Sequence, residues 1–289
     1  MESNWLQYCA TEEQLKRFDD EGYLVVEDAL SPEMVEKLTA AVDRVDAKER
    51  VEKELAPGAM VAKFRSVVED DLFLELLDNE QTFPLLWDIL GWNIQLYISH
   101  MIVYPPEAPD AKRYVKGAGW HQDGGRPVEE IERPAPRLSL KISYWLSDTT
   151  IPDAGAMKIL PGSHKLIDKP YQRDPTKDPE GAMEVKVKPG TAVLFDRRLW
   201  HSRGYNYSEQ VRKVLFFGYS YRWLRGLDYN NMPEEVLTKC DPIRRQLLGD
   251  GVDIKGWWQP TEADVPLKGW IREHRGEECL YDVSTRYKV

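Results

Sequence analysis

The chain begins with a helical rhythm of polar and apolar positions. Thr11 and Gln14 form a capping box at the start of "EEQLKRFDDE", and Gly22 offers the left-handed residue that stops such a helix. "YLVVEDAL" follows as a strand. Ser31 then caps a second helix with Pro32 at its first position, and Met34, Val35, Leu38 and Val42 share one face of a helix that runs to about Leu55. Residues 80–91, "EQTFPLLWDILG", keep the helical pattern, so the chain up to about residue 90 is expected to be helix-rich.

The pattern then changes period. "IQLYISHMIVYPP", Ile94 to Pro106, is rich in β-branched and aromatic residues and ends at two prolines. Further strands are predicted at 138–147, 156–160, 183–187, 191–195 and 211–221, separated by the turns "DAG", "PGSH" and "KPGT". Many short strands with long returns predict a mainly β fold with flanking helices, an α+β class whose core is a cupin-like double-sheet jelly roll. From Trp223 the chain reads as helical and irregular. "PEEVLTKCDPIRRQLLG" is the helix-rich stretch, and Trp257, Trp258 and Trp270 are spread through loops. No Gly/Ser linker or charge run sets this tail apart, so residues 1–289 are expected to form one domain, with the tail from about 223 packed on the jelly roll.

Composition narrows the class. A 289-residue chain with 42% hydrophobic and 30% charged residues can bury a sizeable core, and it contains no apolar run long enough for a membrane span. The start "MESNWLQYCATEEQ" lacks the basic and apolar blocks of a secretory signal, which points to the cytoplasm. Cys9, Cys240 and Cys279 are odd in number and scattered, the pattern of reduced structural residues. A net charge of -10 disfavours nucleic acid as a partner, and the basic "PIRRQLL" reads as a solvated helix face.

Chemistry concentrates in the histidines, of which there are five. In "WHQDGG", extended backbone puts His121 and Asp123 on one side and turns Gln122 away. Alone, such a pair is as consistent with a glycine-rich polar turn as with a metal clamp. His201 follows the apolar strand of "GTAVLFDRRLWH", where a jelly roll carries residues toward its open mouth. Two histidines and one carboxylate with open positions form the ligand set of non-haem Fe(II) oxygenases. Zinc accepts the same residues, although the helical HExxH spacing of many zinc hydrolases is absent. Eleven residues on, Arg212 lies in an apolar strand, sharing a face with Val214, Phe216 and Gly218 while Lys213, Leu215, Phe217 and Tyr219 take the other. One of the two cations is expected to point inward, and a buried guanidinium calls for a carboxylate from a protein acid or from a ligand; taken alone, Arg212 reads rather as an outward arginine in a surface pair.

"WHQD", "GAMKILPGSHK", "GTAVLFDRRLWHSRG" and "QVRKVLFFGYSYR" together resemble the phytanoyl-CoA dioxygenase family of Fe(II)- and 2-oxoglutarate-dependent oxygenases. The resemblance runs from about Glu12 to Arg222 and includes the opening "DEGYLVVEDALSPE". It implies an enzyme that uses iron(II), 2-oxoglutarate and O2 to hydroxylate or otherwise oxidise a small molecule, releasing succinate and CO2. It implies that His121, Asp123 and His201 bind iron and that Arg212 anchors the distal carboxylate of 2-oxoglutarate. Trp145 matches a tryptophan of the co-substrate pocket, and Met101 or a close neighbour matches another pocket residue. Family members often place Ser or Thr two positions after the distal histidine; here that position is Arg203, which leaves Ser202 as the nearby hydroxyl. Asp123, where related halogenases carry Gly or Ala, argues against halogenation.

The remaining candidates have plainer expectations. His164 is expected in a structural turn, His100 in strand packing and His274 on an exposed helix or loop. Lys141 falls on the strand face of Trp145, Ser139 and Ser143 and so could face the pocket, yet a surface lysine with a snorkelling stem is the expected outcome. Lys63 sits near where family members place a basic residue over the site. Loops 104–119 and 124–137 are expected to shape the substrate entrance, with Gly124 and Gly125 letting backbone pass near the metal. Two other classes remain open at this stage: a jelly roll that binds without turnover, and a cupin-type zinc or manganese enzyme with no use for 2-oxoglutarate.

Overall fold

The computed structural model describes residues 1–108, 119–123, 131, 134–166, 177–251, 255–257 and 259–280. The elements that position the site follow the order α1 (Glu12–Glu21), β1 (Tyr23–Val26), α2 (Pro32–Glu52), β2 (Val61–Phe64), α3 (Phe83–Leu90), β3 (Ile94–Tyr104), β4 (Ser139–Trp145), β5 (Met157–Ile159), β6 (Met183–Val185), β7 (Ala192–Asp196), β8 (His201–Arg203) and β9 (Arg212–Tyr221). Three short helices follow at Glu234–Leu237, Pro242–Leu247 and Pro266–Arg275.

Local chemistry accounts for the boundaries. Gly22, at φ +85°, ends α1 by donating its N–H to Phe18 O at 2.8 Å. A Cβ at Gly22 would lie 2.5 Å from His164 Nδ1, so glycine is required there for space as well as for conformation. Ser31 Oγ accepts the Met34 N–H at 3.2 Å at the start of α2.

The strands form two antiparallel sheets, one in the order β1-β7-β4-β9-β3-β2 and one in the order β6-β5-β8. This is the expected double-sheet jelly roll with flanking helices. Tyr23, Trp145, Val193, Phe195 and Val214 from the larger sheet pack with Met157, Ile159 and Val185 from the smaller one in a single buried cluster. Ile102 and Phe216, each half-buried, pack against that cluster.

The chain divides into two compact units, and the division falls within β3 and β9. One comprises Glu12–Lys63 and Met101–Phe216 and contains the buried cluster. The other comprises Met1–Thr11, Phe64–His100 and Phe217–Val289. Within the latter, α3 is buried along its whole length, and its Trp87 ring lies 5.7 Å from that of Trp270. Arg244 Nε donates to buried Asp78 at 2.8 Å, and Tyr219 O–H donates to Leu77 O at 2.7 Å. Trp270 belongs to a helix rather than a loop, and His274 stacks on it at 4.3 Å, half-buried instead of exposed. Trp258 lies outside the described residues.

Candidate metal and co-substrate site

β8 pairs with β5 so that Ile159 faces His201 and Met157 faces Arg203. Ile159 and Met157 belong to the buried cluster, so His201 and Arg203 point into the roll while Ser202, beside Lys158, takes the opposite face. The segment before β4 adds itself to β8 by a two-way bridge: His121 N donates to His201 O at 3.0 Å, and His201 N donates to His121 O at 3.0 Å. That bridge brings together two histidines eighty positions apart. Their rings lie 4.3 Å apart between centroids.

His121, Asp123 and His201 each offer a ligand atom, and these atoms lie within 4.8 Å of one another. Nδ1 of His121 faces Gly119 O at 3.2 Å, and Nδ1 of His201 faces Leu199 O at 2.8 Å. A carbonyl only accepts, so each Nδ1 carries the proton and each Nε2 keeps its lone pair for a metal. Burial pulls the His201 imidazole down to about 4, which keeps it neutral at physiological pH. Burial would raise Asp123, but Lys141, with His201 and His121 acting in the same direction, holds the carboxyl well below its usual range.

The loop is held from below. Asp123 N donates to Arg197 O at 2.9 Å, and Gln122, turned away as expected, donates its side-chain amide to Arg198 O. Asp196, with no exposed surface, accepts from Arg137 Nε at 3.0 Å and from Arg198 Nε at 2.9 Å. Trp120 Nε1 donates to Asp178 at 3.1 Å. Gly124 and Gly125 and most of loops 104–119 and 124–137 lie outside the described residues.

Arg212 is the inward cation of β9, with 3% of its surface exposed, whereas Lys213 reaches Asp43 of α2 at 2.6 Å. Arg212 Nη1 donates to Gly155 O at 2.6 Å, its Nε is buried without an acceptor, and no acid among the described residues pairs with it. Burial lowers the guanidinium to about 9, with the charge of Arg203 pushing the same way. Its carbon lies 4.9 Å from the Tyr104 ring and 5.8 Å from the Trp145 ring. Leaving such a group unmatched costs several kcal/mol, roughly, which an anionic ligand offsets. The residues therefore fit both groups that the sequence implied: a borderline-to-hard divalent metal on the triad and a carboxylate on Arg212.

Three expectations change. Of Met101 and its close neighbours, the neighbours take the position: Met101 is fully buried on the opposite parity of β3 from Tyr104, which meets Arg212, and Ile102, which packs on the buried cluster. Ser202 points away, and its place is taken by Arg203, whose guanidinium lies 4.7 Å from the Tyr104 ring. Lys141 is no surface lysine. It is 6% exposed on β4, flanked in the sheet by β7 and β9, and its Nζ lies 2.8 Å from Asp123 Oδ2. Its face of the sheet carries Trp145 and, across the ladder, Phe195, both in the buried cluster, so the stem has no route to water. Other expectations hold: His164 ties a turn to Asp19 O at 3.0 Å, and His100 packs on Phe64 with rings 5.4 Å apart. Lys63 is engaged by buried Glu49 of α2 at 2.6 Å. Tyr104 carried no motif; Arg203 was marked by its place two positions after His201, and Lys141 by strand parity with Trp145.

The family model described as phytanoyl-CoA dioxygenase (PhyH) matches residues 18–214. The chain belongs to that family. Members are Fe(II)- and 2-oxoglutarate-dependent dioxygenases, and this chain is one of them. The chain is similar over 86% of its length to an uncharacterized protein of Mycobacterium tuberculosis, at 27% identity over 261 residues and 91% of that protein. It is similar to the ectoine dioxygenase of Nocardia farcinica at 25% identity, covering 71% of this chain and 76% of that one. HygX from Streptomyces hygroscopicus, solved with nickel and 2-oxoglutarate bound, shares the fold at a TM-score of 0.58 and 19% identity, over 75% of this chain and 90% of that one. Among the described residues no helix is long and apolar enough to cross a membrane.

Proposed function

We propose that His121, Asp123 and His201 hold Fe(II), that Arg212 receives the distal carboxylate of 2-oxoglutarate, and that this dioxygenase hydroxylates a small molecule. The observation that carries the reading is the pairing of an open His-Asp-His triad with a buried guanidinium that has no acid of its own among the described residues. A zinc or manganese hydrolase of the same fold has no use for such a cation, and a chain that only binds has no need of the triad.

The bound iron supplies O2 activation coupled to decarboxylation of 2-oxoglutarate, giving succinate and CO2. The chain supplies the rest. Leu199 and Gly119 carbonyls fix the imidazole tautomers, and the Arg197–Arg198 carbonyls hold the carboxylate loop in register. Arg212 orients the co-substrate through a forked donor in a low-dielectric wall made by Tyr104 and Trp145. Ile102 and Phe216, half-buried, line the water-excluding side. Residues 1–289 are proposed to work as one dioxygenase domain, in the cytoplasm, where three half-buried cysteines without disulfides are at home. The test is oxygen-dependent conversion of 2-oxoglutarate to succinate by the iron-loaded protein without added substrate. Measurable turnover in the wild type and none in Asp123→Ala is expected; equal rates in both would overturn the assignment.

A further inference from the structure

The inward row of β4 comprises Ser139, Lys141, Ser143 and Trp145, and one of the four is charged. Lys141 Nζ lies 2.8 Å from Asp123 Oδ2 and 5.8 Å from the centre of the Phe216 ring, and 8% of its side chain is exposed. Its neighbour across the sheet is Phe195, whose ring lies 5.2 Å from that of His201. The ammonium thus stands at the metal corner among aromatic rings, where a charge is costly unless matched.

In the metal-free chain Asp123 matches it. A divalent metal on Asp123 changes that balance. The metal, Asp123, Arg212 and the two carboxylates of 2-oxoglutarate sum to zero, and the imidazoles are neutral, so the charge of Lys141 is left over. Arg203, half-buried with its guanidinium 4.7 Å from the Tyr104 ring, adds a second positive charge, and Glu107, whose carboxylate accepts from the Tyr104 O–H, returns one negative charge. Among the described residues Asp123 is the one carboxylate paired with Lys141, and no acid pairs with Arg203 or Arg212. The site thus keeps, among the described residues, a positive surplus in a chain with net charge -10, and that local feature marks what the site receives.

Resting on the iron and 2-oxoglutarate reading above, we infer that the substrate of this enzyme is an anion, a small molecule with a carboxylate that Lys141 receives beside the metal. The charge-assisted contact orients the substrate at one end, and Ile102 and Phe216 offer apolar surface to its carbon skeleton. Lys141 is then the residue that sets specificity for acids over their neutral counterparts.

The test uses the full chain loaded with Zn(II) and saturating 2-oxoglutarate, which holds the site without turnover. Binding is measured by saturation-transfer NMR for matched acid and amide probes: phenylacetate with phenylacetamide, hexanoate with hexanamide, indole-3-acetate with indole-3-acetamide. At least one acid is expected to bind about tenfold or more tightly than its amide. In Lys141→Met the acid-to-amide ratio falls toward one, and in Lys141→Arg it is retained; a ratio is insensitive to a general loss of affinity. A ratio near one for every pair, no acid binding at all, or an unchanged ratio in Lys141→Met overturns the inference. Retention of 2-oxoglutarate by the loaded wild type, read from its own signals, separates the two claims. Its absence removes the parent reading, whereas its presence without acid preference removes only this one.

Discussion

Arg212 is held in a state that costs stability until a ligand arrives. Its guanidinium is buried, with one hydrogen bond to Gly155 O and Nε unmatched. Replacing even a paired buried ion by apolar side chains of similar volume is often neutral or stabilising by about 1–4 kcal/mol, and removing an unmatched guanidinium acts in the same direction. Arg212→Met is therefore expected to raise the urea midpoint of the metal-free protein while weakening 2-oxoglutarate binding by at least about 30-fold, measured by calorimetry. His201 gives the opposite kind of signature. Its folded value, about 4, lies below the 6.5 of a free histidine, so the unfolded chain takes up the proton first as pH falls. Stability of the metal-free protein should decline between about pH 6.5 and pH 4, by about 3 kcal/mol, and His201→Gln should remove that part of the decline in pH-dependent urea unfolding. The triad and Arg212 were legible because their types and spacing encode chemistry. The contacts of Lys141, Arg203 and Tyr104 were not, because their meaning lies in which way a strand faces and what crosses it; strand parity and the spacing from His201 only marked the positions of the first two.

Legibility of the elements followed the same logic. β3, β4 and β9 showed strong β-branched and aromatic patterns, and their observed ends differ from the expected ones by two residues or fewer. β8 reads "HSR" and carries no hydrophobic signal; it is extended because β5 pairs with it, and so His201 lies in a strand rather than after one. β2, "VAKF", was missed because four residues are too few for an apolar pattern to stand out. β1 is shorter than its apolar pattern, stopping at Val26 ahead of Asp28, which adopts a left-handed φ of 52°. The end of β7 matters most to the site, because Asp196 there clamps Arg137 and Arg198. Asp196→Ala leaves both guanidiniums without that acceptor and should destabilise the protein by about 3–5 kcal/mol. It should also weaken metal binding, since the Arg197–Arg198 segment holds Gln122 and Asp123. Thermal unfolding and a Mn(II) titration check the two effects.

At the scale of the whole molecule, family membership over residues 18–214 fixes the reaction class, and the structural neighbours share the fold at identities too low to transmit a substrate. The sequence held the jelly roll in its runs of short strands and the class in four motifs. It did not hold the division into two compact units, because that depends on which segments meet and not on composition. The central claim is that one site joins iron to 2-oxoglutarate, and anaerobic addition of Fe(II) to the protein with 2-oxoglutarate tests it most directly. A weak visible charge-transfer band should appear in the wild type, vanish in Asp123→Ala, and in Arg212→Ala require far more 2-oxoglutarate. No band in the wild type, or a band indifferent to both substitutions, would contradict it.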